Sequence, residues 1–277
     1  AEVQLEVEAE KSAAAWRLSC DVSLASAGEA AVEHVSLGGV HGGCVHIIAR
    51  ADEAPRMEPG CDAEAAGAEA EEEDAAAAAA EVEAQLTCAL GRVAEALRRC
   101  GLGLEHVLYV RLYVSRMTQY AAVNAAYSAA FKGRPPAARA AVELPLGAGR
   151  ALCLEAVACG STKQLLHVQS ISEWAPRMIG PYCQLTTAHG VALVAGNLGL
   201  DPASMRLVPG GTAAQAAQAL ANCAAVLQGL GFEAIHTLQM VIYLTADADA
   251  AAVKRAARRW LREHGASGVA LLMLQVG

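Results

Sequence analysis

The chain has few aromatic residues, no closely spaced cysteine pair and no long apolar run, and each absence excludes a class of protein. Aromatic residues make up only 4% of the 277 positions, so the cores must be built from Leu, Val and Ile. The nine cysteines never form a Cys-x-x-Cys pair, which disfavours disulfide scaffolds and zinc modules. No apolar run reaches about 18 residues, the length of a membrane span. We therefore expect a cytoplasmic protein with no bound metal and no membrane partner.

Several catalytic motifs are also missing from the sequence. There is no Gly-x-x-x-x-Gly-Lys-Ser/Thr phosphate loop, no Ser-Gly-Gly-x-Asp-Ser pyrophosphatase loop and no Gly-x-Ser-x-Gly nucleophile elbow. Lys and Arg form no dense stripe of the kind that binds nucleic acid. We therefore expect no cofactor and no nucleic-acid partner for this chain.

The net charge of −8 comes from one segment. Between Asp52 and Glu83 there are twelve acidic residues and one basic residue, so the rest of the chain carries a net charge of +3. The acidity is therefore local, and it does not describe the folded surface as a whole.

Two parts of the sequence repeat one another at an offset of 130 residues. One ungapped register preserves both apolar positions and a helix-ending glycine. It aligns Leu90, Leu97, Gly101 and Tyr113 with Leu220, Leu227, Gly231 and Tyr243. Solenoid repeats are only about 20 to 50 residues long, so this period indicates a duplicated domain.

Each copy has the pattern of a small domain with both helices and strands. In the second copy, Ala213–Leu230 is apolar at helical spacing and is followed by Gly231, a typical residue at a helix C-terminus. The other predicted elements of this copy are a hairpin turning at His189-Gly190, a strand at Ile235–Leu244, a helix at Ala250–Arg262 and a strand at Val269–Val276. We predict an α/β (α+β) fold, in which each domain is a mixed β-sheet with two helices on one face.

The first copy differs by an insertion. Ser36 and Leu90 lie 54 positions apart, whereas the aligned Ala195 and Leu220 lie 25 apart. The surplus falls on an acidic, alanine-rich stretch at about 52–80, which predicts a solvated, largely disordered loop or a frayed helix. We place the first domain at residues 1–163 and the second at residues 164–277.

Motifs in both copies resemble those of the Rid/YjgF family. The second copy contains Gly180-Pro181-Tyr182-Cys183-Gln184 and a Gly196-to-Pro202 segment, similar to the family's Gly-Pro-Tyr-Ser-Gln and Ser-Gly-Gln-x-x-x-Asp-Pro. The first copy contains Asn124-x-x-Tyr127, Pro136-Ala137-Ala138-Arg139 and Leu154-Glu155-Ala156-Val157-Ala158. The resemblance runs from about Trp16 to the end, and it implies a chorismate-mutase-like fold.

The resemblance also implies a site and its chemistry. Sites of this family lie in a cleft between neighbouring subunits of a trimer, where an arginine holds a carboxylate by two parallel hydrogen bonds. A water oriented by a carboxyl group then attacks an enamine or imine carbon. By resemblance, Arg139 is the carboxylate clamp, and Glu155 is the catalytic group that orients the water or shuttles a proton. Asn124 and Tyr182 line the substrate site.

Each of these residues has a structural alternative. Arg139 follows two prolines at a strand entry, a position typical of a solvent-facing residue. Glu155 lies in an apolar strand, where a buried acid needs a partner. Tyr182 has the alternative of a packing role, and Asn124 that of a helix-start or turn residue.

Neither copy contains the whole motif set. The first lacks the Gly-Pro-Tyr-x-Gln opening, and the second has no arginine in its last strand. This complementary loss suggests a composite site in which Arg139 of the first copy faces Tyr182 of the second.

The tandem arrangement, with Trp174-Ala175-Pro176 ahead of Gly180-Pro181-Tyr182, resembles the C-terminal region of eukaryotic diphthine–ammonia ligases. The resemblance implies a role in ATP-dependent amidation of diphthine on elongation factor 2, with ATP held by an N-terminal domain outside this chain. The alternatives are a stand-alone enamine/imine deaminase and a silent oligomerisation or ligand-sensing module. The expected partners are another copy or the ligase N-terminal domain, elongation factor 2 and a small carboxylate.

Overall fold

The computed structural model describes residues 33–37, 44–50, 68–147 and 149–276, with side chains described from residue 75 onward. The strands are β1 (Glu33–Leu37), β2 (Cys44–Arg50), β3 (Val107–Val114), β4 (Ala138–Glu143), β5 (Leu152–Cys159), β6 (Gln164–Leu166), β7 (Leu185–Ala188), β8 (Val191–Val194), β9 (Gln239–Leu244) and β10 (Ala270–Gln275). The helices are α1 (Ala68–Arg99), α2 (Tyr120–Ala130), α3 (Gly211–Gln228) and α4 (Ala250–Glu263).

The first domain is a five-stranded mixed sheet in the order β1-β2-β5-β3-β4. Side chains alternate between the two faces of a strand, and on β3 the residues Val110, Leu112 and Val114 are fully buried. They form one core with residues of α1 and α2, including Leu97 and Tyr127. Both helices therefore cover the same face of this sheet.

The second domain has counterparts of β1 to β4 and of both helices but, in the described chain, none of β5, and its strands form two separate sheets. Strands β6, β7 and β8 form an antiparallel sheet, while β9 and β10 pair separately in parallel. The hairpin between β7 and β8 turns at His189 and Gly190, whose φ angles of 50° and 74° are those of the tight turn that fits strand twist. The prediction of a tandem α+β fold is confirmed, and the counterpart of β5 would fall beyond Gly277 at the offset of 130.

The predicted helix and strand positions in the second domain agree closely with the structure. Helix α3 ends at Gln228, and Gly231 then adopts a φ of 76° while its amide donates to the Gln228 carbonyl. A residue with a Cβ adopts that backbone conformation only with strain, which explains a glycine at this place in both copies.

The acidic insertion was predicted as a loop or a frayed helix, and the loop alternative is wrong for residues 68–80. This part lies in α1, which runs without interruption to Arg99. Alanine has the highest helix propensity, and acidic residues in the first turns favour a helix through its dipole. Residues 52–67 of the predicted insertion lie outside the described part of the chain.

Candidate anion-binding site at the domain junction

Arg139 lies on β4 and points towards the helices. It pairs with Val110 across the parallel β3–β4 ladder, and neighbours in register share one face of a sheet. Val110 belongs to the core beneath α1 and α2, so the Arg139 side chain enters the same space. Only 2% of Arg139 is exposed, and the solvent-facing alternative for this residue is therefore wrong.

Helix α2 supplies the hydrogen-bond acceptors for the guanidinium of Arg139. Nη2 donates to Asn124 Oδ1 at 2.6 Å and to Tyr120 Oη at 3.0 Å. Tyr120, Asn124 and Tyr127 are four and three residues apart, a spacing that places all three on one face of a helix. Asn124 therefore acts inside the helix, and the helix-start and turn alternatives do not apply.

Three tyrosine rings surround the guanidinium. Its central carbon lies 5.5 Å from the ring centre of Tyr120, 4.7 Å from that of Tyr127 and 4.9 Å from that of Tyr182. Contacts of a cation with aromatic faces contribute about 2 kcal/mol or more when they are desolvated. The rings thus compensate in part for the loss of water around Arg139.

Tyr182 comes from the second domain, so the site lies at the junction of the two domains. The Cys183 amide donates to the Ala137 carbonyl at 3.1 Å, and the Gly196 amide donates to the Arg139 carbonyl at 3.0 Å. The backbone of the second domain thereby extends the free edge of β4. The structure brings Arg139 and Tyr182 together, as the composite-site hypothesis requires.

Gly180 closes this site from the second domain. A Cβ at this position would lie 2.9 Å from Arg139 Nη2, 3.0 Å from Tyr182 Cε1 and 3.2 Å from Tyr120 Oη. Real Cβ atoms rarely approach so closely, so glycine allows the backbone to pass directly over the guanidinium.

Only some of the hydrogen-bond donors of the Arg139 guanidinium have partners. Its Nη1 is buried and has no hydrogen-bond partner among the described residues, although Nη2 has two. A buried donor without a partner costs about 1–3 kcal/mol, and more when it is charged. A carboxylate presents acceptors in the geometry that a guanidinium prefers. The arrangement therefore suits a small anion.

Burial also changes the chemistry of the surrounding phenols. It raises the pKa of Tyr182 to about 12, an increase to which Tyr120 adds and which Arg139 opposes. Burial likewise raises the pKa of Tyr127, against the influence of Arg139. Both phenols are therefore neutral near pH 7, and neither serves as an anionic partner of the arginine.

Glu155 is not part of this arrangement. It pairs with Arg111 across the β3–β5 ladder, on the half-exposed face away from α1 and α2. Arg111 Nη1 donates to Glu155 Oε2 at 2.8 Å, and the Tyr113 hydroxyl donates to Oε1 at 3.2 Å. Arg139 and Glu155 therefore lie on opposite faces of one sheet, and the structure does not bring them together. The catalytic role of Glu155 stays a prediction.

Three contributors to the site, Tyr120, Tyr127 and Gly180, were not selected as site residues from the sequence, although Tyr127 belongs to a motif quoted there. Tyr120 lies four residues before Asn124, and Gly180 directly precedes the Pro181-Tyr182 pair. The signal for Tyr120 is its helical spacing to Asn124 and Tyr127. That for Gly180 is its place in the motif, although only the structure reveals its contact with Arg139.

Neither a metal site nor a membrane span is present among the described residues. Within them, no group of three or more His, Cys, Asp and Glu side chains is arranged to hold a metal ion. No helix of the described part is both long and apolar enough to cross a membrane.

The fold and the junction site define a tandem α+β protein with a buried arginine between two related domains. The chain belongs to the family described as Endoribonuclease L-PSP, whose model matches it twice, at residues 59–157 and 172–276. This double match confirms the prediction of two tandem Rid/YjgF-type domains.

The relatives of this chain include a ligase and several deaminases. A diphthine–ammonia ligase of Schizosaccharomyces pombe is 34% identical over 120 residues, which are 43% of this chain and 20% of the ligase. A 2-iminobutanoate/2-iminopropanoate deaminase of Bos taurus is 40% identical over 70 residues, which are 25% of this chain and 51% of the deaminase. The matches therefore span a fifth and about half of these two relatives. The crystal structure of the YjgF gene product of E. coli has a TM-score of 0.37 and 24% identity, covering 41% of this chain and 85% of that one.

Proposed function

We propose that this chain is the accessory tandem Rid region of a diphthine–ammonia ligase, and that its junction site binds a small carboxylate. The ligase would amidate diphthine on elongation factor 2 with ATP and ammonium. The ligase part of the proposal is supported by 34% identity over 120 residues to the Schizosaccharomyces pombe protein. Since the sequence has no pyrophosphatase or phosphate loop, ATP activation is assigned to another domain of such a ligase.

One observation carries the binding proposal. Arg139 is buried at the contact of two domains, and its Nη1 has no hydrogen-bond partner in the described chain. A carboxylate oxygen placed against Nη1 would satisfy this donor and neutralise the charge. The surrounding tyrosines exclude water, which strengthens such an interaction.

Carboxylate binding is tested by titrating the chain with pyruvate and acetate, using acetamide as an uncharged control, and following amide NMR shifts near Gly180. We expect saturable binding of the carboxylates that is lost in Arg139→Gln. Arg139→Lys should weaken binding at least tenfold, because an ammonium cannot form the two-pronged contact.

Arg111→Gln is the matched control, since it removes a half-buried arginine from the opposite face of the same sheet. It should leave carboxylate binding unchanged. Binding that survives Arg139→Gln, in a variant whose thermal unfolding is still cooperative, would refute the assignment.

The ligase part of the proposal is tested with a chimera. In the Schizosaccharomyces pombe ligase, the segment that matches this chain is replaced by the chain itself, and diphthamide is measured by mass spectrometry. We expect the chimera to amidate diphthine and a deletion of the segment to fail. A deletion with full activity would argue against an accessory role.

The proposed partners follow from this reading. Self-association or docking on the ligase N-terminal domain would assemble the region, and elongation factor 2 would approach the assembled enzyme. Sedimentation of the chain alone tests self-association. Sedimentation of the chain together with the N-terminal part of the ligase tests docking between the two.

A stand-alone enamine/imine deaminase is the second candidate. It is supported by 40% identity to a 2-iminobutanoate/2-iminopropanoate deaminase and by Arg139 at the junction. The position of Glu155 on the other face of the sheet weighs against it. The test offers 2-aminoacrylate-type enamines generated by a dehydratase and follows ammonia release. Turnover that disappears in Arg139→Ala would favour the deaminase, and its absence would favour the accessory role.

A further inference from the structure

Helix α4 carries a basic face, formed by five exposed cationic residues: Lys254, Arg255, Arg258, Arg259 and Arg262. Intervals of three and four residues bring side chains together on one side of a helix. In the linear sequence, buried residues such as Ala257 and Trp260 separate these bases into small groups. The folded helix is therefore what gathers them into one surface.

The helix itself does not account for this face. A helix dipole favours cations only in the last turn, where Arg262 lies. Like charges four residues apart destabilise a helix, and α4 has three such pairs: Lys254 with Arg258, Arg255 with Arg259, and Arg258 with Arg262. Among the described residues only Glu263 pairs with one of these bases, at 3.8 Å from Arg259. The face thus carries charge that its own surroundings do not compensate.

The fold does not require the basic face either. The corresponding positions of α2, at the offset of 130, contain a single base: Asn124, Ala125, Ser128, Ala129 and Lys132. Both helices cover their sheets with the opposite side, so the outer side is free to vary. The bases of α4 are therefore a property of the second domain alone.

The complementary charge lies on the first half of α1. Residues 69–83, here called the acidic half of α1, contain seven acidic residues and no base. The core residues of this helix begin at Val82, so most of the acidic half precedes the core. At 1.5 Å per residue it is about 21 Å long, which is enough to cover a basic face of about 12 Å.

These two helices carry most of the charge of the molecule. Helix α4 has a net charge of +4, whereas all residues outside 52–83 together have +3. Apart from these two regions the chain is therefore almost neutral. Surfaces of opposite charge attract over several ångströms and align partners in one orientation.

We propose that the basic face of α4 binds the acidic half of α1 of a second copy of the chain. Each copy supplies both surfaces, so the contact forms twice in a symmetric dimer. A second copy is required because α1 is formed in the structure and the described acids still leave four of the five bases without an ion pair. The proposal specifies the self-association named under the proposed function and rests on that part alone.

The first measurement is sedimentation of the whole chain at about 50 and about 500 mM NaCl, since salt screens charges on a surface. We expect a dimer at the lower concentration of salt, with a dissociation constant that rises at least tenfold at the higher one. A chain that stays monomeric at low salt would refute the proposal.

Reversal of each surface identifies the contact. One variant replaces the four arginines of the basic face by Glu, and the other replaces the five acids of residues 69–74 by Lys. Each alone should dimerise at least tenfold more weakly, because like charges then meet. An equimolar mixture should form a mixed dimer within about threefold of the original affinity, since both contacts again join opposite charges.

The matched control reverses four exposed bases elsewhere: Arg116, Lys132, Arg177 and Arg206. It changes the net charge equally and should dimerise within about threefold of the original chain. Cooperative thermal unfolding checks that each variant is folded.

Three results would overturn the proposal. The first is a dimer that persists when the basic face is reversed, which would retain self-association but place it on another surface. The second is a mixture of the two variants that stays monomeric. The third is binding of a labelled RNA duplex that requires the basic face in a chain that does not dimerise, which would assign the face to nucleic acid. Carboxylate binding at Arg139 is measured separately, so the two proposals fail independently.

Discussion

The two domains share one order of elements up to β4 and β10, yet they bury the same positions to different extents. Leu112 on β3 is fully buried between two neighbouring strands, whereas Ile242, 130 residues later on β9, has only β10 beside it in the described part of the chain and is half-buried. Both lie beneath a pair of helices of similar pattern. The comparison shows that a strand on each side, and not the helices alone, completes the burial of a central strand.

The two domains also differ in the residues that they contribute to the junction site. The strand registers place Leu271 of β10 where Arg139 lies on β4. The places of Tyr120, Asn124 and Tyr127 are taken on α4 by Ala250, Lys254 and Ala257. Arg139, Tyr120, Asn124 and Tyr127, which together form the arginine cluster of the first domain, thus all have different residues at their places in the second. One copy kept the arginine cluster, while the other supplies Gly180 and Tyr182 to it.

The largest expected effect tests the difference in core burial. Leu112→Ala should lower the free energy of unfolding by about 3 kcal/mol, since it leaves a cavity in a close-packed core. Ile242→Ala should cost about half as much, because its side chain is already half-exposed in the folded protein. Urea unfolding followed by hydrogen exchange in each domain measures both losses. Equal losses would show that β9 is as well covered as β3.

The second effect concerns the contact between the domains. Gly180→Ala places a Cβ against Arg139 Nη2 and the Tyr182 ring, and should destabilise the protein by about 1–3 kcal/mol. Gly91→Ala is the matched control, because nothing lies within 4 Å of a Cβ at that helical position. The control should stabilise by up to about 1 kcal/mol through helix propensity. A neutral Gly180→Ala, measured by the same urea unfolding, would contradict the close approach of the segment to Arg139.

The sequence was sufficient for the order of elements and for the pairing of Arg139 with Tyr182. Helical and strand periodicities are local properties, and the complementary loss of motifs pointed to a shared site. The sequence did not reveal that Arg139 and Glu155 lie on opposite faces, because that depends on the registers of two ladders. A slip by one residue turns every side chain of a strand to the other face.

The division of the second sheet has a different origin, since at the offset of 130 the counterpart of β5 would fall beyond Gly277. Strand β9 has the composition of a central strand, with Met240, Val241 and Ile242 in sequence, and composition alone does not count its neighbours. Helix α1 was missed in part for another reason. Its acidic first turns have no apolar residue larger than alanine, so helix propensity was the only local signal, and it is weak beside the charge pattern.

A third prediction uses alkaline pH to compare the junction with the unfolded chain. Burial raises the pKa of Tyr182 to about 12, whereas an unfolded tyrosine titrates near about 10. The stability that the protonated Tyr182 contributes is complete below about pH 10. It is lost as the pH rises towards 12, because the tyrosine of the unfolded chain releases its proton first. The original protein should therefore lose on the order of 2 kcal/mol more than Tyr182→Phe over this interval. Parallel slopes, measured by urea unfolding at each pH, would place Tyr182 in contact with water.

The smallest effect compares the starts of the two corresponding helices. At α4, Asp249 Oδ1 accepts a hydrogen bond from the Ala252 amide at 2.9 Å, whereas the corresponding Gln119 at α2 makes no such side-chain bond. Asp249→Ala should therefore cost about 1 kcal/mol, and Asp249→Asn should retain most of that amount because its side chain accepts the same bond. Thermal unfolding with exchange along α4 measures both variants. If Asp249→Asn is as damaging as Asp249→Ala, the negative charge near the helix dipole accounts for the effect, and the hydrogen bond does not.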